Sequence, residues 1–362
     1  MRNRFISWLV AGFVLMMGAA QAQDPPAVAE AGPGQKDALR ALIAAAKAEG
    51  TIAYWDAVVS PETNDELTAK FRAFYGLPAN FAVKYTLSAT LNLVTRVEQE
   101  VGSGNVTIDV ASLASPPWIN GLVAGGHIMR YDSPEHVHYA RAIAAGMGRA
   151  GYFVPNGAYC FVPAWNTETL DFKGTSWRDV LGAVPAGRIS TNDAPNSATG
   201  LLSYMGLRQN LGIDFFRELA KMQPRFIVRS EQTVEALVTG QDLMAFGGSP
   251  GRLLQSNEKG AKLKFLLPKE GIVLLGAGTF ILAKAANPNA AKLWIDFTLS
   301  EAGQTILSRR EALISARSGF KSPLPEYAPA IDDLTVMPVD WSKITVEDIK
   351  KGKAEWQSIF SP

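Results

Sequence analysis

The chain has very few of the residues that build disulfide frameworks, metal centres or acid–base catalysts. Among 362 residues there are one cysteine and three histidines. A single thiol, Cys160, excludes an intrachain disulfide, so stability has to come from a buried core. It stands in Ala158-Tyr159-Cys160-Phe161-Val162, an apolar strand candidate where a packed thiol is expected. A charge excess is missing too: 35 basic residues face 34 acidic ones. Such a balance argues against a nucleic-acid partner or an anionic membrane surface. Beyond the first 20 residues no stretch approaches the roughly 18 uninterrupted apolar residues that a membrane span needs, so no direct membrane insertion is expected.

What is present at the start is an export signature. Arg2 and Arg4 precede an apolar run from Phe5 to Met17, and Ala20-Gln21-Ala22 fits an Ala-x-Ala cleavage site. We read 1–22 as a signal peptide, which places the mature protein in the periplasm. Removing it leaves 33 basic against 34 acidic residues, a formal charge of −1. The Pro-, Ala- and Gly-rich segment 23–36 reads as a flexible leader.

From there helical and strand patterns alternate. Leu39, Leu42 and Ile43 open a helix that ends near Gly50, and Thr51 to Trp55 is a strand. The turn Val59-Ser60-Pro61-Glu62 leads to a helix through Leu67, Phe71 and Phe74. Phe81 to Tyr85 and Ile108 to Leu113 are further strands, separated by a helix bearing Leu91, Val94 and Val97. The middle repeats the pattern, with strands at 158–162, 187–191, 225–228, 243–246, 263–267, 271–275 and 279–283. A long amphipathic helix is expected over 289–307 and a helical tail over 344–360. Strand–helix–strand order predicts an α/β fold with largely parallel sheets, whose ligands gather at strand ends.

At those strand ends one feature recurs: a small hydroxyl-bearing residue at a helix start. It is seen at Ser88 and Thr90, at Ser115, at Ser197 and Thr199, at Ser230 and Thr233, and at Ser249. The stretch Asn192-Asp193-Ala194-Pro195-Asn196-Ser197-Ala198-Thr199-Gly200 is the fullest example. Caps of this kind satisfy orphan N–H groups, and the open donors of a helix start also take anions. Arg252 follows a glycine-rich turn at a strand end and can aim a guanidinium at a carboxylate or phosphate. Ser60 and Asn196 complete the candidate ligand-binding set.

Three enzyme or metal patterns are weaker. Gly247-Gly248-Ser249-Pro250-Gly251 matches the Gly-x-Ser-x-Gly elbow of serine hydrolases, but that order requires a later histidine, and His127, His136 and His138 are all upstream. His136 and His138, near Asp132 and Glu135, lack the partners of a metal centre and read as a solvated loop. Gly276-Ala277-Gly278 precedes a strand rather than opening a helix, and there is no phosphate-cradling Gly-Lys-Ser, so no cofactor is expected.

The sequence resembles the periplasmic solute-binding proteins of ABC importers, in the branch that includes ferric-ion, polyamine, phosphonate and phosphosugar binders. The resemblance rests on the export signal and on Ile52-Ala53-Tyr54-Trp55, Asp109-Val110-Ala111-Ser112 before Ser115, and Asn166 after the strand through Val162. It also rests on Ala194 to Gly200, Val238-Thr239-Gly240-Gln241-Asp242, Ala291 to Phe297, and Ser300-Glu301-Ala302-Gly303-Gln304. It implies a two-lobed type II periplasmic-binding-protein fold, each lobe a mainly parallel sheet flanked by helices, with crossing strands between. Lobe 1 is expected over 37–162 plus 275–312, lobe 2 over 163–274, and a C-terminal helical tail over 313–362. It further implies a monomer that holds a small-molecule solute between its lobes and serves a permease and its ATPase.

In the anion-binding members, helix-start hydroxyls and backbone N–H groups hold the anion. Ser88, Ser115, Ser197, Thr199 and Ser249, with Arg252, match that plan by position. The ferric members carry adjacent tyrosines where this chain has Gly247-Gly248-Ser249. Neutral Gly and Ser do not replace phenolates, so an organic anion is the expected solute. The alternatives are a polyamine, another cation or a ferric complex, for which Asp56, Glu62 and Glu231 are the candidate acids, and a secreted serine hydrolase built on Ser249.

Overall fold

Alternating strands and helices assemble into two five-stranded sheets, seen in a computed structural model that describes residues 24–360. The expected signal peptide lies outside the described residues. The first sheet contains β1 (Thr51–Asp56), β2 (Ala82–Leu87), β3 (Val110–Leu113) and β4 (Val154–Tyr159). The second contains β5 (Val162–Asn166), β6 (Ile189–Asn192), β7 (Arg225–Ile227), β8 (Met244–Gly248) and β9 (Leu263–Phe265). The chain then returns to the first sheet as β10 (Leu275–Ile281). The orders are β2-β1-β3-β10-β4 and β7-β6-β8-β5-β9.

Both sheets are mixed. β1 runs parallel to β2 and β3, and β6 to β7 and β8, because a helix returns the chain between them. β10 lies antiparallel to β3 and β4, and β5 to β8 and β9. The physical reason is the crossing: β5 and β10 each enter their sheet from the other lobe, at the end where its parallel strands finish. Parallel character therefore applies to the three-strand cores only.

The crossings are where the structure departs most from the sequence pattern. The single strand expected at 158–162 is instead the junction of β4 and β5, which belong to different sheets and are separated only by Cys160 and Phe161. Nearly every residue from Phe153 to Asn166 is buried, so no periodicity marks the break. The strand expected at 271–275 is part of the return crossing, where Ile272 bridges Val336 in isolation. Gly276 and Gly278 sit inside β10 rather than before a strand. A Cβ on Gly278 would stand 2.8 Å from Ile119 and 2.9 Å from Phe153.

Three helical expectations also change. Residues 26–30 of the leader form a helix, with Val28 fully buried and Asp24 paired to Arg40 at 2.7 Å, so the leader packs on the body instead of hanging loose. The helix expected over 289–307 is two, Pro288–Leu299 and Glu301–Glu311. Ser300 breaks it, its hydroxyl accepting from Gly303 N at 3.3 Å. In the C-terminal tail only Val346–Phe360 is a long helix; it lies on helices Ala198–Leu211 and Ile213–Lys221, where Glu355 accepts from Arg208 and Tyr204.

Each lobe is built on an aromatic core. Trp294 packs on Phe71 and Tyr54, both with centroids 5.1 Å away, and Trp177 on Phe246 at the same distance. Among the described residues no helix is long and apolar enough to cross a membrane.

Candidate functional site

Strand exits converge on one cleft. β2 delivers the chain to helix Thr90–Ser103, β6 to Ala198–Leu211, β7 to Ser230–Val238 and β8 to Pro250–Asn257. The first turns of all four line a cleft of about 570 Å³, closed at its back by Tyr159 to Phe161 and Glu311 to Ile314. Helix Thr90–Ser103 approaches Ala198–Leu211 across it, so both lobes contribute walls.

Ser197 caps its helix, its Oγ accepting from Gly200 N at 3.1 Å. The other three helix starts, at Ala89, Arg229 and Ser249, have no side-chain cap bond. Arg252 N and Gln232 N turn back to the carbonyls of Ser249 and Arg229, and Pro250 has no N–H to give. The open first-turn N–H groups are therefore those of Thr90 to Asn92, of Ser230 and Glu231, and of Gly251, with the positive ends of the helix dipoles behind them.

The charged groups are arranged unequally. Arg252 Nε lies 3.1 Å from Glu231 Oε1 and Nη1 3.5 Å from Glu311 Oε2, and the side chain also donates to Gln255 at 2.8 Å. Glu311 is buried and further accepts from Ser60 N at 2.8 Å, Ser60 Oγ at 2.5 Å, Thr63 Oγ1 at 2.6 Å and Gln255 Nε2 at 3.1 Å. Arg229, by contrast, is exposed in the cleft wall and makes no ion pair or side-chain hydrogen bond among the described residues. Burial pushes the Tyr159 phenol well above its usual range, offset in part by the Thr199 hydroxyl on the neighbouring helix start. Burial likewise pushes the Cys160 thiol up to about 12, so this cleft residue stays a neutral, packed thiol.

Of the residues picked out in the sequence, the cleft brings together Thr90, Asn196, Ser197, Thr199, Ser230, Ser249 and Arg252. It does not bring in Ser60, Ser88 or Ser115. Ser60 caps helix Pro61–Tyr75 and gives its hydroxyl to Glu311. Ser88 N extends the sheet by donating to Asp56 O at 2.9 Å, and Ser115 is buried ahead of helix Pro116–Ala124. The acids proposed for a cationic solute fare no better. Asp56 is wholly buried, held by Tyr54 and by the N–H groups of Val58 and Val59 at 2.5 and 2.7 Å. Glu62 lies outside the cleft lining, and Glu231 faces Arg252.

The Gly-x-Ser-x-Gly glycines are explained by close packing. A Cβ on Gly247 would meet Asn192 at 2.7 Å, one on Gly248 Ala164 at 2.5 Å, and one on Gly251 the Glu311 carbonyl at 2.2 Å. Ser249 has ordinary extended backbone, and none of the three histidines lines the cleft. His136 and His138 lie in a half-buried 3-10 turn rather than a solvated loop, and burial lowers the His136 imidazole.

Sequence reasoning missed Arg229, Glu311, Tyr159 and Tyr327. Arg229 carried the same signal as Arg252, a basic residue at a strand exit. Glu311 had none, since its partner Ser60 is 251 residues away.

The profile of bacterial extracellular solute-binding proteins matches residues 105–332, well over half of the chain. The chain belongs to that family. Solved structures agree on the fold. The binding protein resembles the substrate binding protein of an ABC transporter from Agrobacterium tumefaciens, at 16% identity over 86% of this chain and 94% of that one, with a TM-score of 0.72. It resembles the periplasmic binding protein AfuA from Actinobacillus pleuropneumoniae, solved with exogenous fructose-6-phosphate, at 18% identity over 86% and 98%, with a TM-score of 0.71. Iron-bound HitA from Pseudomonas aeruginosa follows at 16% identity over 85% and 99%, with a TM-score of 0.67. At these identities the likeness is one of fold: two lobes of the type II periplasmic class. No curated protein matches the sequence significantly. The matched family is one of solute binders for ABC transporters, working with a permease and an ATPase outside this chain.

Proposed function

We propose that this binding protein captures a small organic anion, a carboxylate, phosphonate or phosphate ester, in the cleft between lobes 37–162 with 275–312 and 163–274, and delivers it as a periplasmic monomer. The observation that carries this reading is Arg229, a guanidinium without a carboxylate partner, set in a wall of uncapped helix starts. Charge-assisted bonds from such donors are the strong ones for an oxyanion. The thiol-, histidine- and acid-poor lining supports binding rather than catalysis.

A polyamine or a ferric complex would need free anionic donors here. The two acids of the lining, Glu231 and Glu311, already face Arg252, and the Tyr159 phenol is held protonated by burial. The mechanism we propose is hinge closure across the crossings, with ligand contacts from both lobes favouring the closed state.

A thermal-shift screen over carboxylates, phosphonates, sugar phosphates, putrescine, neutral sugars and Fe³⁺ tests this. An anion at 100 times its dissociation constant should stabilise the fold by about 2.7 kcal/mol. A melting point moved only by cations or neutral sugars overturns the reading.

A further inference from the structure

We propose that the anion this cleft takes carries an apolar body, an alkyl or aryl group of several carbons, and is neither a bare phosphate nor a hydroxyl-rich phosphosugar. The proposal rests on the anion reading above and narrows its substrate class.

Seven large hydrophobic side chains are exposed among the described residues, and three of them stand in this one cleft. They are Leu87 at 44% exposure, Leu91 at 49% and Val228 at 48%. Scattered exposed leucines are ordinary; their concentration around a polar cleft is not. Leu87 ends β2 and Leu91 sits in the first turn of the helix that follows, so both belong to one lobe. Val228 follows β7 in the other lobe and immediately precedes Arg229. The unpaired guanidinium is thus adjacent in the chain to an exposed apolar side chain, with two more leucines in the facing wall.

Recognition of sugar hydroxyls uses planar groups that donate and accept in pairs. Here four planar groups in and beside the lining, Glu231, Glu311, Gln255 and Arg252, are bonded to one another, which leaves Asn92 as the one lining amide without a side-chain hydrogen bond among the described residues and Arg229 for the anionic head. A cleft of about 570 Å³ also exceeds what an inorganic oxyanion fills and lies within the range of pockets for organic ligands. A charged head at Arg229 with an apolar body under Leu87, Leu91 and Val228 satisfies both halves of the lining.

Calorimetric titration of the full-length mature protein with methyl-, propyl-, hexyl- and phenylphosphonate, with the matching carboxylates in parallel, decides the matter. Affinity should rise roughly threefold to fourfold per added methylene until the rim is covered, with a heat capacity of binding that becomes more negative along the series. Leu91→Ser and Val228→Ser should flatten that slope, and both sites are exposed enough to keep the fold. If methylphosphonate and fructose-6-phosphate bind but the slope is flat, the apolar rims only close on each other; the apolar-body proposal falls and the anion reading stands. If hexylamine binds and no anion does, or no anion of either series binds, the anion reading falls with it.

Discussion

A guanidinium that already faces two carboxylates has little left for an incoming anion, because any new oxyanion has to compete with partners in place. Arg252 is in that position between Glu231 and Glu311, whereas Arg229 is not. Arg229→Ala should therefore lower anion affinity at least tenfold in titration calorimetry, in line with the loss of a charged hydrogen bond of about 1.5–3 kcal/mol, with the melting point unchanged. Arg252→Ala should do the reverse in part: it uncovers the buried Glu311 carboxylate, so the melting point falls, and an unchanged melting point there would remove its structural role. A second residue-scale consequence lies far from the cleft. Asp296 is buried under Tyr131 and Ser133, and desolvation pushes its carboxyl up to about 7. The unfolded carboxyl titrates near 4, so between about pH 4 and 7 the folded state holds a proton the unfolded chain has lost. Stability from this group is then full at low pH and declines as pH rises through 7. Urea midpoints at pH 5 and pH 8 should differ less in Asp296→Asn than in the wild type; an equal difference would refute the assignment.

At the scale of elements, two helix starts test the division between cap and site. Ser197 and Ser300 each accept from the N–H three residues on, at 3.1 and 3.3 Å. Ser197→Ala and Ser300→Ala should each lower stability by about 1 kcal/mol in denaturant unfolding. Only Ser197→Ala should also weaken anion binding, because only Ser197 lines the cleft. Equal affinities in the two variants would reduce the Ser197 helix start to a plain cap. This is also the scale at which the sequence was most readable. β1 and β8 carry largely apolar runs bounded by turn residues, and the exits of β2, β6, β7 and β8 each lead to a small hydroxyl at a helix start, so the convergence of Ser197, Ser230 and Ser249 could be anticipated from local pattern. The crossings could not, since 153–166 is buried on every side and offers no period to break. Nor could the bond from Ser60 to the buried Glu311, a contact made only when helix Glu301–Glu311 folds back on helix Pro61–Tyr75.

The whole molecule turns on how closely the lobes approach at their back. Helix Pro250–Asn257 of one lobe meets the end of helix Glu301–Glu311 of the other, and the contact is backbone to backbone. A Cβ on Gly251 would lie 2.2 Å from the Glu311 carbonyl oxygen, too close for any side chain. The chain then leaves helix Glu301–Glu311 through Ala312, a non-glycine residue with φ of 50°. Gly251→Ala cannot be absorbed by a rotamer change, since the obstacle is main chain; the two helices must separate. Overpacking of this kind typically costs 1–3 kcal/mol. Here part of it should appear as geometry, because the separating bodies are the two lobes. We expect Gly251→Ala to unfold at lower temperature, to show a larger radius of gyration than the wild type in ligand-free X-ray scattering, and to bind anions more weakly by the fraction of molecules held away from the closed state. Saturating anion should shrink the wild type and close much of the gap between the two. A variant with unchanged scattering in both conditions would mean that this contact stabilises one lobe rather than setting the angle between them.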